Sequence, residues 1–402
     1  MGRNRTPLAA LCGGFIIVLT GCGTVAGTPV ADPSAAPALD TGNFVTKPRK
    51  VEARTPADAW QQEGWRLADG IPAPWDVDSS LTARVPDLIT TPLVSASQLG
   101  LESNLSPFGT KQQKMVEAAP FKTAMFAGAQ NKGGTRVLRM GLMRFASADA
   151  ATSLVGQLTN GAEVQAGTPR EVNADGWRFV TTGKRTTKNA ASMTIIAPRG
   201  DLIAVVTVDF PVGLGDEEGK AVGSLGKRAR EMLWAKMADY KPSDAPNGIK
   251  PKVDMDFEGL MSLTLPKTIP SNELGLSEGV DWGDGWMSIA TYGLMTSNPG
   301  YVRRFDLDYV AKTRASVVFR ARSEVSAAEF FRVDHAVDGQ NPTLTDLKGI
   351  SRDNGKCWQS GTNIVCSVRA GRYVSMVLSP TRQLAEQSAS ASYKIMQQAR
   401  VK

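Results

Sequence analysis

The order in which strand-like and helix-like segments recur constrains this 402-residue chain most. Residues 137–145 read as a strand, and Ser147 then caps a helix through Leu154 and Val155. Residues 177–180, 192–197 and 202–208 read as three further strands, the last two joined by a tight turn at 198–201. Between 217 and 240, Val222, Leu225, Ala229, Met232, Leu233 and Met237 form one helical stripe. Residues 241–251, with three prolines and a glycine, break the pattern. Beyond the break the order returns. Residues 315–321 read as a strand, Ser326 starts a helix, Cys357 and Cys366 bracket a hairpin, and 373–378 form a strand. Pro380 then leads into a helix with Leu384, Gln387, Ser388, Ala391 and Ile395 on one face. Strand, helix, hairpin, strand, helix, occurring twice, predicts an α+β fold: two similar domains in tandem, each a mainly antiparallel sheet with flanking helices. The domains read as 39–245 and 246–402.

The rest of the folded part is less periodic. Residues 55–75 read as a short helix bearing Trp60 and Trp65, followed by Trp75. Three indoles so close together fit the apolar side of a first packed element better than a ligand groove. Residues 76–130 read as loop-rich, with a short apolar segment from Phe121 to Phe126.

The N-terminus has a different composition. Arg3 and Arg5 precede an apolar run at 8–19, followed by Leu19-Thr20-Gly21-Cys22. The run, about 12 residues, is shorter than the roughly 20 a membrane-crossing helix needs, and the layout is that of a secretory signal. Leu-Thr-Gly-Cys resembles the lipobox of bacterial lipoprotein signals. The resemblance implies that residues 1–21 are removed and that Cys22 receives a diacylglyceryl group and palmitate. The mature chain is then held at the extracytoplasmic face of the cell membrane. A signal cut elsewhere, with Cys22 a bystander, is the other reading. Residues 22–38, rich in Gly, Ala, Thr, Ser and Pro, read as a flexible tether.

Charge and cysteines narrow the partners. With 46 Lys+Arg against 39 Asp+Glu the chain is mildly basic, and the cations are scattered. A nucleic-acid surface is not expected. With Cys12 in the signal and Cys22 as the lipid site, Cys357 and Cys366 remain. An even pair across a hairpin in an exported protein reads as a disulfide. Zinc needs four ligands, and no histidine lies nearby.

Two further segments carry a resemblance. Leu39-Asp40-Thr41-Gly42-Asn43-Phe44 with Pro48-Arg49 ends the tether, and Gly371-Arg372-Tyr373-Val374 follows the cysteine hairpin. On these the chain resembles an uncharacterised lipoprotein family of mycobacteria and related actinobacteria. The resemblance implies a cell-envelope protein and brings no catalytic residue with it.

Motifs that could carry chemistry lack their context. Gly275-Leu276-Ser277-Glu278-Gly279 fits the serine-hydrolase elbow, with Asp306 or Asp308 and then His335 downstream. The elbow needs a strand before it and a helix after it, and this segment reads as loop on both sides. His335, the only histidine, reads as a helix-terminal imidazole. Asp254-Met255-Asp256-Phe257-Glu258-Gly259 begins like a calcium loop, but Leu265 stands where the bidentate acid belongs. An edge strand explains the alternation better. Ser224-Leu225-Gly226-Lys227 matches one motif of the penicillin-binding enzymes without its companions. The expected function is therefore non-catalytic binding or scaffolding of an envelope lipid, glycan or protein, with Trp282 and Trp286 as expected contact residues. No metal or cofactor is expected. An envelope serine hydrolase using Ser277 is the alternative.

Overall fold

The computed structural model describes residues 38–85, 88, 91–99, 110–160, 178–185, 190–211, 216–245, 249–266, 284–296, 304–333 and 344–399. Cys22, Ser277, Trp282 and His335 lie outside them. Leu39–Lys402 is one compact unit.

The first half opens with helices α1 (Pro56–Ala68) and α2 (Pro74–Val77), the short strand β1 (Ala83–Arg84) and helix α3 (Thr110–Ala118). Strands β2 (Phe121–Gln130) and β3 (Val137–Phe145) follow, then helix α4 (Ala148–Asn160). Strands β4 (Arg178–Arg185), β5 (Ala190–Arg199) and β6 (Leu202–Pro211) precede the long helix α5 (Asp216–Met237). The sheet order is β1-β2-β3-β6-β5-β4, and every neighbouring pair is antiparallel. The β5–β6 hairpin turns at Gly200, whose φ of +58° suits a residue without a Cβ. Ser147 Oγ accepts from Ala150 N–H at 3.2 Å, the expected cap of α4.

The second half repeats the plan. It contains β7 (Gly285–Ser288), helix α6 (Ile289–Thr296), β8 (Leu307–Lys312), β9 (Val317–Ala321) and helix α7 (Glu324–Val333). Then come β10 (Thr345–Asp346), β11 (Gly355–Ser360), β12 (Asn363–Ala370), β13 (Tyr373–Ser379) and helix α8 (Arg382–Gln397). The order is β10-β11-β12-β13-β9-β8-β7. Strands β7, β8, β9, β13, β12 and β11 thus match β1, β2, β3, β6, β5 and β4 in position and direction. α7 follows β9 as α4 follows β3, and α8 closes the half as α5 closes the first. The tandem α+β architecture is the one the sequence predicts.

Three local expectations are corrected. Residues 110–130 are a helix and a ten-residue strand next to the sheet's centre, not loop. Ser323, not Ser326, caps α7, its Oγ accepting from Ser326 N–H at 3.0 Å. Residues 254–258 lead into short 3-10 turns rather than an edge strand, because Asp254 and Asp256 bend the chain by accepting backbone N–H groups at 2.9 and 2.8 Å.

Both faces of the first sheet are covered. Ala124, Phe126, Met143, Ile196 and Val205 pack under α3 and α4. Met125, Leu138, Met140, Leu142 and Val206 face the other way. The strands therefore read as continuous apolar runs rather than as alternation. Gly141 lies opposite Phe126 in the β2–β3 register, and a Cβ there would collide with the ring. The second core also spans the halves: Leu138, Met140 and Val206 share it with Val310, Phe319, Phe330 and Val374. A third core lies between the other face of the second sheet and α8, around Cys357, Cys366, Val368, Val377, Ala389 and Ile395. Serines and alanines at 388–392 let that helix sit close to the sheet.

Cys357 and Cys366 are directly opposite across β11 and β12, with Cα atoms 4.1 Å apart, and are joined by a disulfide.

α1 joins the halves. Gln62, fully buried, pairs with the backbone of Trp286 as a strand would: its Nε2 donates to Trp286 O (2.9 Å) and its Oε1 accepts from Trp286 N–H (3.1 Å). Gly285 admits this approach, since a Cβ there would meet Trp65 and Gln62.

Candidate functional site

The Leu-Asp-x-Gly-Asn-Phe segment is the start of a strap, residues 39–54, lying on the third core. Leu39, Phe44 and Val51 pack against that core. Gly42 turns the chain at φ +50°, and a Cβ there would collide with Gln387 of α8. Asp40 accepts from Gly42 N–H and from Gln387 Nε2, both at 2.9 Å. Farther along, Gln398 Nε2 donates to Thr46 O (2.7 Å), Arg49 N–H to Ser262 O (3.2 Å), and the Arg49 guanidinium to Thr264 Oγ1 (3.3 Å). Exposure then alternates as in a strand: Arg49, Val51 and Ala53 turn inward, and Lys50, Glu52 and Arg54 face solvent.

The hydrogen bond from Gln387, and then that from Gly42, hold Asp40 below the usual carboxylate value of 3.8. A depressed value means that the contact is present above the ordinary carboxylate pKa and is lost as pH falls through the lower folded one. The strap is therefore expected to stay docked at pH 5 and to loosen only below about pH 4. Amide exchange at Gly42–Phe44 followed against pH checks this; loosening already at pH 5–6 contradicts it.

Beside the strap runs the connection between the two halves, residues 249–255. Together they line a groove of 730 Å³, walled by Val51, Glu52 and Ala53 on one side and by Ile249–Met255 on the other, with Ala59 of α1 at its base. Buried indoles brace the wall from behind. Trp60 Nε1 donates to Ile249 O (3.0 Å), and Trp286 Nε1 donates to Asp254 O (2.8 Å). Ile249 itself is 64% exposed, and Lys250 and Lys252, which follow it, face solvent. Lys250 Nζ reaches Ala53 O at 3.4 Å, across from one wall to the other.

Two charged clusters hold this region in place. Glu63, fully buried on α1, accepts from Arg144 (2.6 Å), Arg66 (2.6 Å), the Tyr240 hydroxyl (2.6 Å) and Ser243 N–H (3.0 Å). Arg144 also donates to Asp201 (2.8 Å) and Ser243 O (2.7 Å) and lies 5.3 Å from the Trp60 ring centre. Burial, and then the Glu63 charge, push the Tyr240 hydroxyl far up, so it is a fixed donor. In the second half, Arg320 pairs with both oxygens of Asp308 (2.8 and 3.0 Å) and with Glu258, over the Tyr309 and Phe257 rings. Glu258 sits at φ +49°.

The structure places the expected site residues as follows. Trp286 is 7% exposed, stacked on Phe257 with ring centres 4.8 Å apart, so it supports the groove from inside the core. Trp60, Trp65 and Trp75 are buried. Of the elbow's acids, Asp308 holds Arg320, and Asp306 pairs with Arg322 at 3.3 Å. The carboxylates of the calcium-like loop do not converge: Asp254 and Asp256 cap backbone and Glu258 turns to Arg320. Among the described residues no three His, Cys, Asp or Glu side chains cluster as a metal site. Ser224 and Lys227 lie exposed on α5. Sequence reasoning missed the strap and the wall as a site. The signal was the Leu-Asp-x-Gly-Asn-Phe segment, which reads in the sequence as the end of the tether and as a mark of family resemblance, not as part of a site.

Two family models match the chain: the N-terminal model of a domain of unknown function, DUF7373, over residues 51–245, and its C-terminal model over 293–399. The chain belongs to the DUF7373 family. The two models fall on the two topologically equivalent halves, and the groove's outer wall lies in the stretch between them. No curated protein matches this DUF7373 chain. Among solved structures, the extracellular domain of PknH from Mycobacterium tuberculosis is similar over 42% of this chain and 96% of its own, at 10% identity and a TM-score of 0.25. Among the described residues no helix is long and apolar enough to cross a membrane.

Proposed function

We propose that this DUF7373 protein is a lipid-anchored component of the cell envelope with a non-catalytic binding or scaffolding role, and that its contact surface is the groove between the strap and residues 249–255. One observation carries this reading. The groove wall is braced by Trp60, Trp286 and, through Trp286, Gln62, yet it presents Ile249 bare to solvent just ahead of Lys250 and Lys252. A rigid support under an exposed apolar residue with polar neighbours is how recognition surfaces are built. Anchoring rests on Leu19-Thr20-Gly21-Cys22, with the tether giving reach.

A photo-crosslinking side chain at position 249, in the lipidated protein in native membranes, tests the role. Crosslinked envelope material recovered from position 249, and not from an exposed position on α5 such as 224, is the expected result. Equal yields from both positions would remove the groove from consideration. Labelling of Ser277 by a fluorophosphonate would instead favour the hydrolase.

A further inference from the structure

We infer that the partner of this groove is the membrane itself: the outward face of the strap and the groove's rim form a docking surface for anionic lipid headgroups. The inference rests on the binding reading above and names its partner. Three large hydrophobic residues stand out as exposed among the described residues, namely Val45 (46%), Ile249 (64%) and Val325 (79%). Two of them belong to the strap and to the wall beside it. The cations of the same two segments face solvent as well: Lys47, Lys50, Arg54, Lys250 and Lys252, against Asp40, Glu52 and Asp254, with Asp244 4.0 Å from Lys252. Of those acids, Glu52 pairs with Lys50 at 2.7 Å, and Asp254 accepts from Asp256 N–H at 2.9 Å. An excess of exposed lysines around isolated apolar side chains is the pattern that binds a bilayer interface. Apolar groups enter the headgroup region while cations meet the anionic lipids.

Position along the chain favours a membrane over an acidic protein. The strap is the first described element after the tether, and residues 22–38 can extend no farther than about 60 Å at roughly 3.5 Å per residue. With Cys22 in the bilayer, the strap is the folded segment nearest to it in sequence, and the tether holds it close at high effective concentration. A basic, partly apolar face on that strap needs only weak affinity to lie down on the surface. Asp40, Gly42 and Phe44 clamp the strap to α8 and so fix which side of the body turns to the membrane.

The test uses the mature chain with Cys22→Ser, so that no lipid contributes, and sedimentation with phosphatidylcholine vesicles with and without phosphatidylglycerol. Binding to the anionic vesicles alone, weakening as salt is raised, is expected. K250A/K252A should lower the partition constant about 25-fold, at roughly fivefold per lysine near the surface. Ile249→Asp should lower it further, and Lys132→Ala, on the β2–β3 turn, should leave it unchanged. No binding to anionic vesicles, or an equal loss with Lys132→Ala, overturns the membrane as partner. If the chain ignores vesicles but position 249 still crosslinks an acidic envelope protein, the groove's binding role stands and only the partner changes.

Discussion

Arg144→Met is expected to destabilise the protein by about 3–5 kcal/mol, the usual result of removing one partner from a buried ion pair. Methionine keeps most of the volume, so the loss reports charge and hydrogen bonding rather than a cavity. Glu63 would retain Arg66, Tyr240 and Ser243 N–H but lose its most deeply buried cation, while Asp201 and Ser243 O each lose a donor. The damage should extend beyond α1. Ser243 and Lys241 begin the connection that becomes the groove wall, and Arg66 holds Lys241 O at 3.0 Å. Urea unfolding checks the magnitude. The double variant with Glu63→Gln should recover part of the loss, giving a coupling energy above about 1 kcal/mol. A single-variant loss below about 1 kcal/mol would mean that the cluster contributes little to stability.

Replacing Cys357 and Cys366 by alanine is the second large effect expected, at about 2–5 kcal/mol. Part arises in the unfolded chain, which regains the freedom that the crosslink removes. Part arises in the native state, because both sulfurs are fully buried beneath α8. The strap rests on the same core, so Phe44 should loosen together with α8, and the two should lose amide protection in step. If α8 loosens while the strap keeps its protection, the strap is held by its hydrogen bonds to Gln387 and Gln398 and not by packing. Thermal unfolding with and without reductant gives the same comparison for the unmodified chain.

The architecture was legible where strands are long, apolar and separated by recognisable turns. β5, β6, α5 and the cysteine hairpin fall where the residues place them. β2 was not legible, because Lys122, Thr123, Ala127, Gly128 and Ala129 dilute its apolar signal. Its burial comes from partners on both faces, which no local window contains. β7 and β8 escaped for a similar reason: four- and six-residue strands are set by register against β9, not by their own propensity. The tandem plan survived both omissions, since hairpin and helix recur in the same order. The groove was illegible in principle. It joins residues about 200 apart, and the alternation of exposed and inward residues along 49–54 carries no apolar contrast strong enough to mark a strand. Trp286 shows the limit on single residues. An indole near a glycine-rich loop reads as a contact residue, and only its bond to Asp254 O reveals a brace.

The core shared by Leu138, Met140, Phe319 and Val374 has a consequence for synthesis. The first half is made with one face of its sheet packed under α3 and α4 and the other covered by α1, α2 and α5 only in part, because β9 and α7 have yet to be made. Gln62 has no strand edge to pair with until β7 arrives, some 220 residues later. During that interval the part of the core that Phe319, Phe330 and Val374 will cover lies open to solvent. A chain truncated after α5 would keep that opening permanently and should be cut by proteases more readily than the full chain. The two halves therefore succeed or fail as one product.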